Sequence, residues 1–370
     1  MMGHGSKRAP LMLLAVVSLL AGLWGGLRRL GWDFPELRPS LIMAHGPLMV
    51  CGFLGTVICL ERAVAVGRSW ATLAPLAAGV GGLLAIAAVG VSALGTPLAA
   101  WLALAASVGL LAMFVDFVRK QTVVSMVVMA AAAVLWTVGI ALWIAGRPMN
   151  VVTYWWMGFI VLTILGERYG FSRMMAPSKA SMWLFGLSNA FVIAGLLVAT
   201  VADRYGAVIF AIGLALGAGW IIRYDISLKT IKQKGLPRYV AVCVQTGAAW
   251  LLVGGIVMIL YKNIPAGPHY DIIVHTVFVG FAFSMIFGHA PLIFPSVLKL
   301  PLEYRSYFYA PLALLHASLA LRVISDLSVW TAGRQWGAAL NAAAILLFFA
   351  ANIASAASSR GSRQSSPAQS

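Results

Sequence analysis

The sequence predicts an all-α integral membrane protein of twelve transmembrane helices, and three observations carry that prediction. Hydrophobic residues make up 61% of the 370 residues and charged residues 10%, against roughly 25% charged in a soluble domain. The apolar residues gather into runs of the ~20 residues a helix needs to cross a bilayer. Lys and Arg collect in alternate gaps between those runs, which is the bias that membrane topology imposes.

Taken in order, the runs occupy residues 10–30, 41–66, 70–91, 96–118, 122–145, 150–168, 181–201, 205–222, 238–261, 270–297, 304–323 and 335–356. The first follows Lys7-Arg8, lacks a convincing small-residue cleavage site and is followed by Arg28-Arg29. It is therefore expected to remain as an anchor rather than leave as a signal peptide. The third and fourth are separated only by Ser92 to Thr96. The longest hydrophilic stretch, Arg223 to Arg238, is a basic loop suited to lipid headgroups. One membrane domain is expected over 1–356, followed by a disordered tail, 357–370, rich in Ser, Gln and Arg.

Eighteen of the 26 Lys and Arg fall on the side of the N-terminus and eight on the opposite side. The positive-inside bias then puts both termini in the cytoplasm, and an even number of spans agrees. The net charge of +16 is thus a matter of topology and membrane lipid, and nucleic acid is not an expected partner. Cys51, Cys59 and Cys243 all lie inside spans without a CxxC pair, so neither a disulfide framework nor a zinc site is indicated.

Two histidines bear most directly on function. His45, in Ala44-His45-Gly46, and His275 each sit about one turn inside the outer end of a span. Ionisable side chains in a span mark functional sites by default, and neutral imidazole is the commonest protein ligand for metals and haem iron. Two at one depth on two helices would grip a haem from both sides. Met49 lies one turn deeper on the face of His45. Gly46 and Gly280 are small enough for a flat macrocycle or a helix backbone to approach. The alternative is that each histidine is a hydrogen-bonded core residue.

His289 returns to the face of His275 about 21 Å lower, ahead of Pro291 and Pro295, and is a candidate for a second metal or haem site. His316, in the eleventh span, is a candidate ligand or neighbour of the first pair. The carboxylates of a haem need cations, for which Arg38, Arg322 and Arg334 are the outer-face candidates. All ten Asp and Glu fall in loops or near span ends, and no midplane acid or broken helix points to ion-coupled transport. Met43, Met49, Cys51 and Met285 are soft ligands that would suit copper.

A faint repeat runs through the chain. Gly52-Phe53 precedes Glu61-Arg62 in the second span, and Gly158-Phe159 precedes Glu167-Arg168 in the sixth. Gly280-Phe281 precedes His289 in the tenth at the same frame. Three pseudo-repeated four-helix units would produce this. Glu61-Arg62 and Glu167-Arg168 read as ion pairs at the cytoplasmic interface.

The stretch Leu41-Ile42-Met43-Ala44-His45-Gly46-Pro47-Leu48-Met49 resembles the second helix of haem-copper oxidase subunit I, where H-G-x-x-M supplies one axial ligand of the low-spin haem. His275 to Gly280 resembles the segment that supplies the other, and twelve helices in three arcs is that superfamily's architecture. The likeness is closer to the NnrS family, twelve-span proteins of denitrifying bacteria that contain haem and copper and are associated with nitric oxide stress. It rests on His275 to Gly280, Gly288-His289, Ala249 to Gly254 and Leu314 to Val323. The resemblance implies haem b at His45 and His275, a bacterial inner-membrane location, and a redox partner or nitric oxide as ligand. The sixth and seventh spans contain no histidine, so the active-site copper ligands of the oxidases are missing and an oxygen- or nitric-oxide-reducing centre is not expected. Gln245 stands where the NnrS pattern has a histidine, which weakens the implication of copper. Two other readings fit the same residues: a transporter with structural histidines, and a copper-handling protein using His45, Met49, Cys51 and Met285.

Overall fold

The computed structural model describes residues 8–35, 41–88, 95–262, 264–299 and 302–364. Among the described residues, twelve helices are long and apolar enough to cross a membrane. They are α1 (Ala9–Arg29), α2 (Leu41–Val66), α3 (Ser69–Ala87), α4 (Leu98–Lys120), α5 (Val124–Ile144) and α6 (Met149–Met175). The second half holds α7 (Lys179–Ala199), α8 (Asp203–Tyr224), α9 (Leu236–Tyr261), α10 (Pro268–Pro295), α11 (Ser306–Leu327) and α12 (Thr331–Gln364). A single short turn, Ser227–Thr230, interrupts the basic loop before α9. No strand occurs among the described residues. α12 continues past residue 357, where the tail was expected to begin; residues 365–370 lie outside the described part.

The surface suits lipid rather than water. Leu13, Trp183 and Ile353 are 61%, 72% and 71% exposed, and large apolar patches of this kind mark a membrane or binding face. The helices are not equally exposed. In their most apolar stretch, 78% of α6 and 67% of α10 is buried inside the protein, then 56% of α2 and of α8, against 28% of α1. α10 packs on α2, α6, α9 and α11. The three helices that carry the Gly-Phe frame are therefore among the most enclosed.

Two of the three share a local distortion. α2 widens to a π-helix over Leu48–Gly55, and α10 does so over Thr276–Phe283. Both segments hold the same register about Gly52 and Gly280. Each ends at a hydroxyl that reaches back one turn: Thr56 donates to the Gly52 carbonyl at 2.6 Å and Ser284 to the Gly280 carbonyl at 2.5 Å. Back-bonding of this sort bends a helix, and Pro47, which has no N–H to give, loosens α2 just before its π segment. Phe53 and Phe283 stack between the two helices at 5.9 Å.

Close helix approach elsewhere rests on small residues, as in membrane bundles generally. A Cβ on Gly195 of α7 would collide with the backbone of Phe210 in α8. Gly195→Leu is expected to part these helices and to cost about 1–3 kcal/mol. A lowered melting temperature in detergent measures that loss, and an unchanged one refutes the close packing.

Candidate functional site

The π segment of α10 begins directly after His275 and that of α2 three residues after His45, and the two histidines lie side by side at one end of the bundle. Their ring centres are 6.5 Å apart and the planes are inclined by 23°. Both rings are fixed through Nδ1. That of His45 lies 2.6 Å from the carbonyl of Gly22 in α1, and that of His275 lies 2.8 Å from the carbonyl of Asp271, one turn back in α10. A carbonyl can only accept, so Nδ1 carries the proton in each ring and the Nε2 lone pair is left over. Two imidazoles that bind one ion from opposite sides, each through a bond of about 2 Å, have ring centres roughly 6 Å apart. The observed spacing matches that arrangement.

The histidine in α2 needs a gap in α1. A Cβ on Gly26 would stand 2.8 Å from the His45 ring, so only glycine there admits the imidazole. Met49 packs its sulfur against Gly22, whose carbonyl holds His45; it lies beside the ligand's support. Gly46 keeps an open flank toward α6, with Trp156 as its nearest neighbour at 4.0 Å.

His275 has a second layer of support. Its Nδ1 is also 3.2 Å from the carboxylate of Asp271, and Arg322 in α11 clasps that carboxylate through Nε at 2.7 Å and Nη2 at 2.8 Å. Arg322, expected as a propionate partner, is thus engaged in orienting a histidine. Arg334 is likewise turned toward a neighbour, Asp326, at 3.5 Å. Arg38 lies outside the described residues. A cation that the sequence did not single out for this role is Arg29. It stands in the last turn of α1, three residues beyond Gly26, and has no ion-pair partner among the described residues.

The remaining histidines are occupied otherwise. His289 gives its Nδ1 proton to the Met285 carbonyl at 2.7 Å and faces the Arg168 guanidinium with Nε2 at 3.3 Å. A cation at that distance uses the lone pair a metal would need, so the second metal site is not supported. In His316, Nδ1 accepts from the Trp250 indole at 3.0 Å. Its Nε2 then carries the proton, which makes it a poor ligand and a core partner of Trp250 instead.

The soft ligands are not brought together. Met43 is 73% exposed, Cys51 adjoins Trp136 of α5, and Met285 lies against Gly247 of α9. No cluster of three or more His, Cys, Asp or Glu with the geometry to hold a metal occurs among the described residues.

At the opposite, basic end one of the two expected pairs forms, Glu61 with Arg62, whereas Arg168 pairs with Asp225 in place of Glu167. Arg62 of α2 bridges Glu61 and, across the bundle, Glu167 of α6. Arg168 turns away from Glu167 to Asp225, through Nε at 3.0 Å and Nη2 at 2.7 Å. Gln245 donates to Ser227 at 2.7 Å and so fastens the turn that follows Asp225. Apart from Glu61 with Arg62, the pairs tie one element to another.

These features define a twelve-helix membrane protein in which the rings of His45 and His275 lie 6.5 Å apart on two enclosed helices. The chain belongs to the family described as a domain of unknown function, DUF8744, which matches residues 8–357. No curated protein and no solved structure matches it.

Proposed function

We propose that this is a haem protein of the bacterial inner membrane, both termini cytoplasmic, that holds one haem b between α2 and α10. Nε2 of His45 and Nε2 of His275 would be the axial ligands. One observation carries the reading: two imidazoles with matched free nitrogens, set 6.5 Å apart on two of the most enclosed helices. Two opposed ligands suit a haem, whose ring supplies the other four donors, better than a lone ion that wants three or four protein ligands. Arg29, in the last turn of α1, would supply a cation for a propionate. The group would contribute one-electron chemistry. The chain fixes both rings through Nδ1 and keeps the site on rigid helices. Ligation by two histidines saturates iron and favours electron transfer, with nitric-oxide-related sensing or stress response requiring one histidine to leave.

Oxidised and dithionite-reduced absorption spectra of the detergent-purified protein test this, beside His45→Ala and His275→Ala. The wild type is expected to show a sharp reduced α band that each variant loses or broadens. A colourless wild type after haem-supplemented expression overturns the reading. Bound copper without haem absorbance would then favour copper handling, and neither would favour transport.

A further inference from the structure

A cavity of about 310 Å³ opens at the histidine end, among α5, α6, α7 and α8. Its walls are mostly apolar, with Trp155, Leu196 and Ala207 among them, and Arg147 and Asp203 stand at its rim. Neither charged residue is in an ion pair among the described residues. Tyr154 also lines it. That side chain is only 6% exposed, and its buried hydroxyl has no hydrogen-bond partner. Buried polar groups are almost always satisfied, so an orphan beside a cavity points to a missing partner. The size and the balance of apolar wall to few polar groups are those of a small-molecule site.

We propose that this cavity binds the ring head of a membrane-soluble quinone. The Tyr154 hydroxyl donates to one ring carbonyl. The Arg147 guanidinium, just before the start of α6, faces the oxygen at the other end, while the apolar tail lies in lipid. A ring with an acceptor at each end is what a donor inside and a cation at the mouth select. The position supports the class as well. The Tyr154 ring meets the ring of Tyr270 edge-on at 6.5 Å, and Tyr270 directly precedes Asp271, the carboxylate that holds His275. The choice of a redox-active ring rests on the haem reading; occupancy of the cavity does not.

Decylubiquinone titrated into the full-length protein in detergent tests the site, with melting temperature as a check on folding. Saturable binding is expected, weakened about tenfold in Tyr154→Phe, which removes one hydrogen bond. Val151→Trp, which fills the cavity from its rim, is expected to abolish binding with the absorption spectrum of the protein unchanged. Absence of saturable binding overturns the proposal, and so does binding that both variants leave intact. A colourless protein that binds decylubiquinone in a Tyr154-dependent way keeps the cavity assignment and removes only the haem reading.

Discussion

Asp225→Ala is expected to lower stability by about 3–5 kcal/mol, the cost of leaving one member of a buried ion pair without the other. The side chains of Arg168 and Asp225 are 4% and 0% exposed. Asp225 accepts from Arg168 twice, from the Ser172 hydroxyl at 3.4 Å and from the Ser227 backbone N–H at 2.8 Å. Without it the Arg168 guanidinium keeps only His289 and the face of Phe171. Neutral hydrogen bonds between membrane helices average only about 0.6 kcal/mol, because the separated helices find other partners. A charge enclosed by protein has no such alternative, so the larger figure applies. The double variant Arg168→Met with Asp225→Leu is expected to lie much nearer the wild type, since it removes both charges. Loss of helical signal on SDS titration measures all three proteins. A single variant within 1 kcal/mol of wild type would show that the pair does not hold α6 to the turn after α8.

That pair also shows where sequence reading ends. The twelve spans were legible because lipid demands length and apolarity of each helix separately, without reference to its neighbours. His45 and His275 were legible for a related reason: an imidazole in a span is rare, and depth follows from counting residues. The partners were not. Glu167 and Arg168 are adjacent in sequence, yet the turn of the helix sends one toward Arg62 and the other toward Asp225, and only packing decides between them. Arg322 was visible as an outer-face cation, but nothing local ties it to Asp271, fifty-one residues away. The π segments were hidden for the same reason. Pro47 gives a local cause in α2, whereas α10 has no proline between His275 and its wide turn. The two distortions fall in the same register about Gly52 and Gly280, but the Gly-Phe frame did not reveal them, since α6 carries it at Gly158 without a π segment.

The supports of the two histidines are unequal, and this asymmetry yields the second large effect. His45 gives its Nδ1 proton to a neutral carbonyl, whereas His275 shares its own between a carbonyl and the Asp271 carboxylate. A carboxylate behind a ligating imidazole makes the ring more basic and a stronger donor, and losing such a partner typically costs 10–100-fold in metal affinity or activity. Asp271→Asn preserves shape and one acceptor oxygen but removes the charge and one of the two bonds from Arg322. On the haem reading it is expected to weaken haem retention by about 10–100-fold and to move the midpoint potential upward, because a less basic ligand stabilises the ferric state less. Arg322→Met should act in the opposite sense on the potential. It frees Asp271 from the cation that Nε and Nη2 supply at 2.7 and 2.8 Å, and so pushes more negative charge toward His275. Redox titration of the three proteins reads both signs at once. If Asp271→Asn and Arg322→Met shift the potential in the same direction, the two residues serve only to tie α10 to α11, and His275 is held by its backbone carbonyl alone.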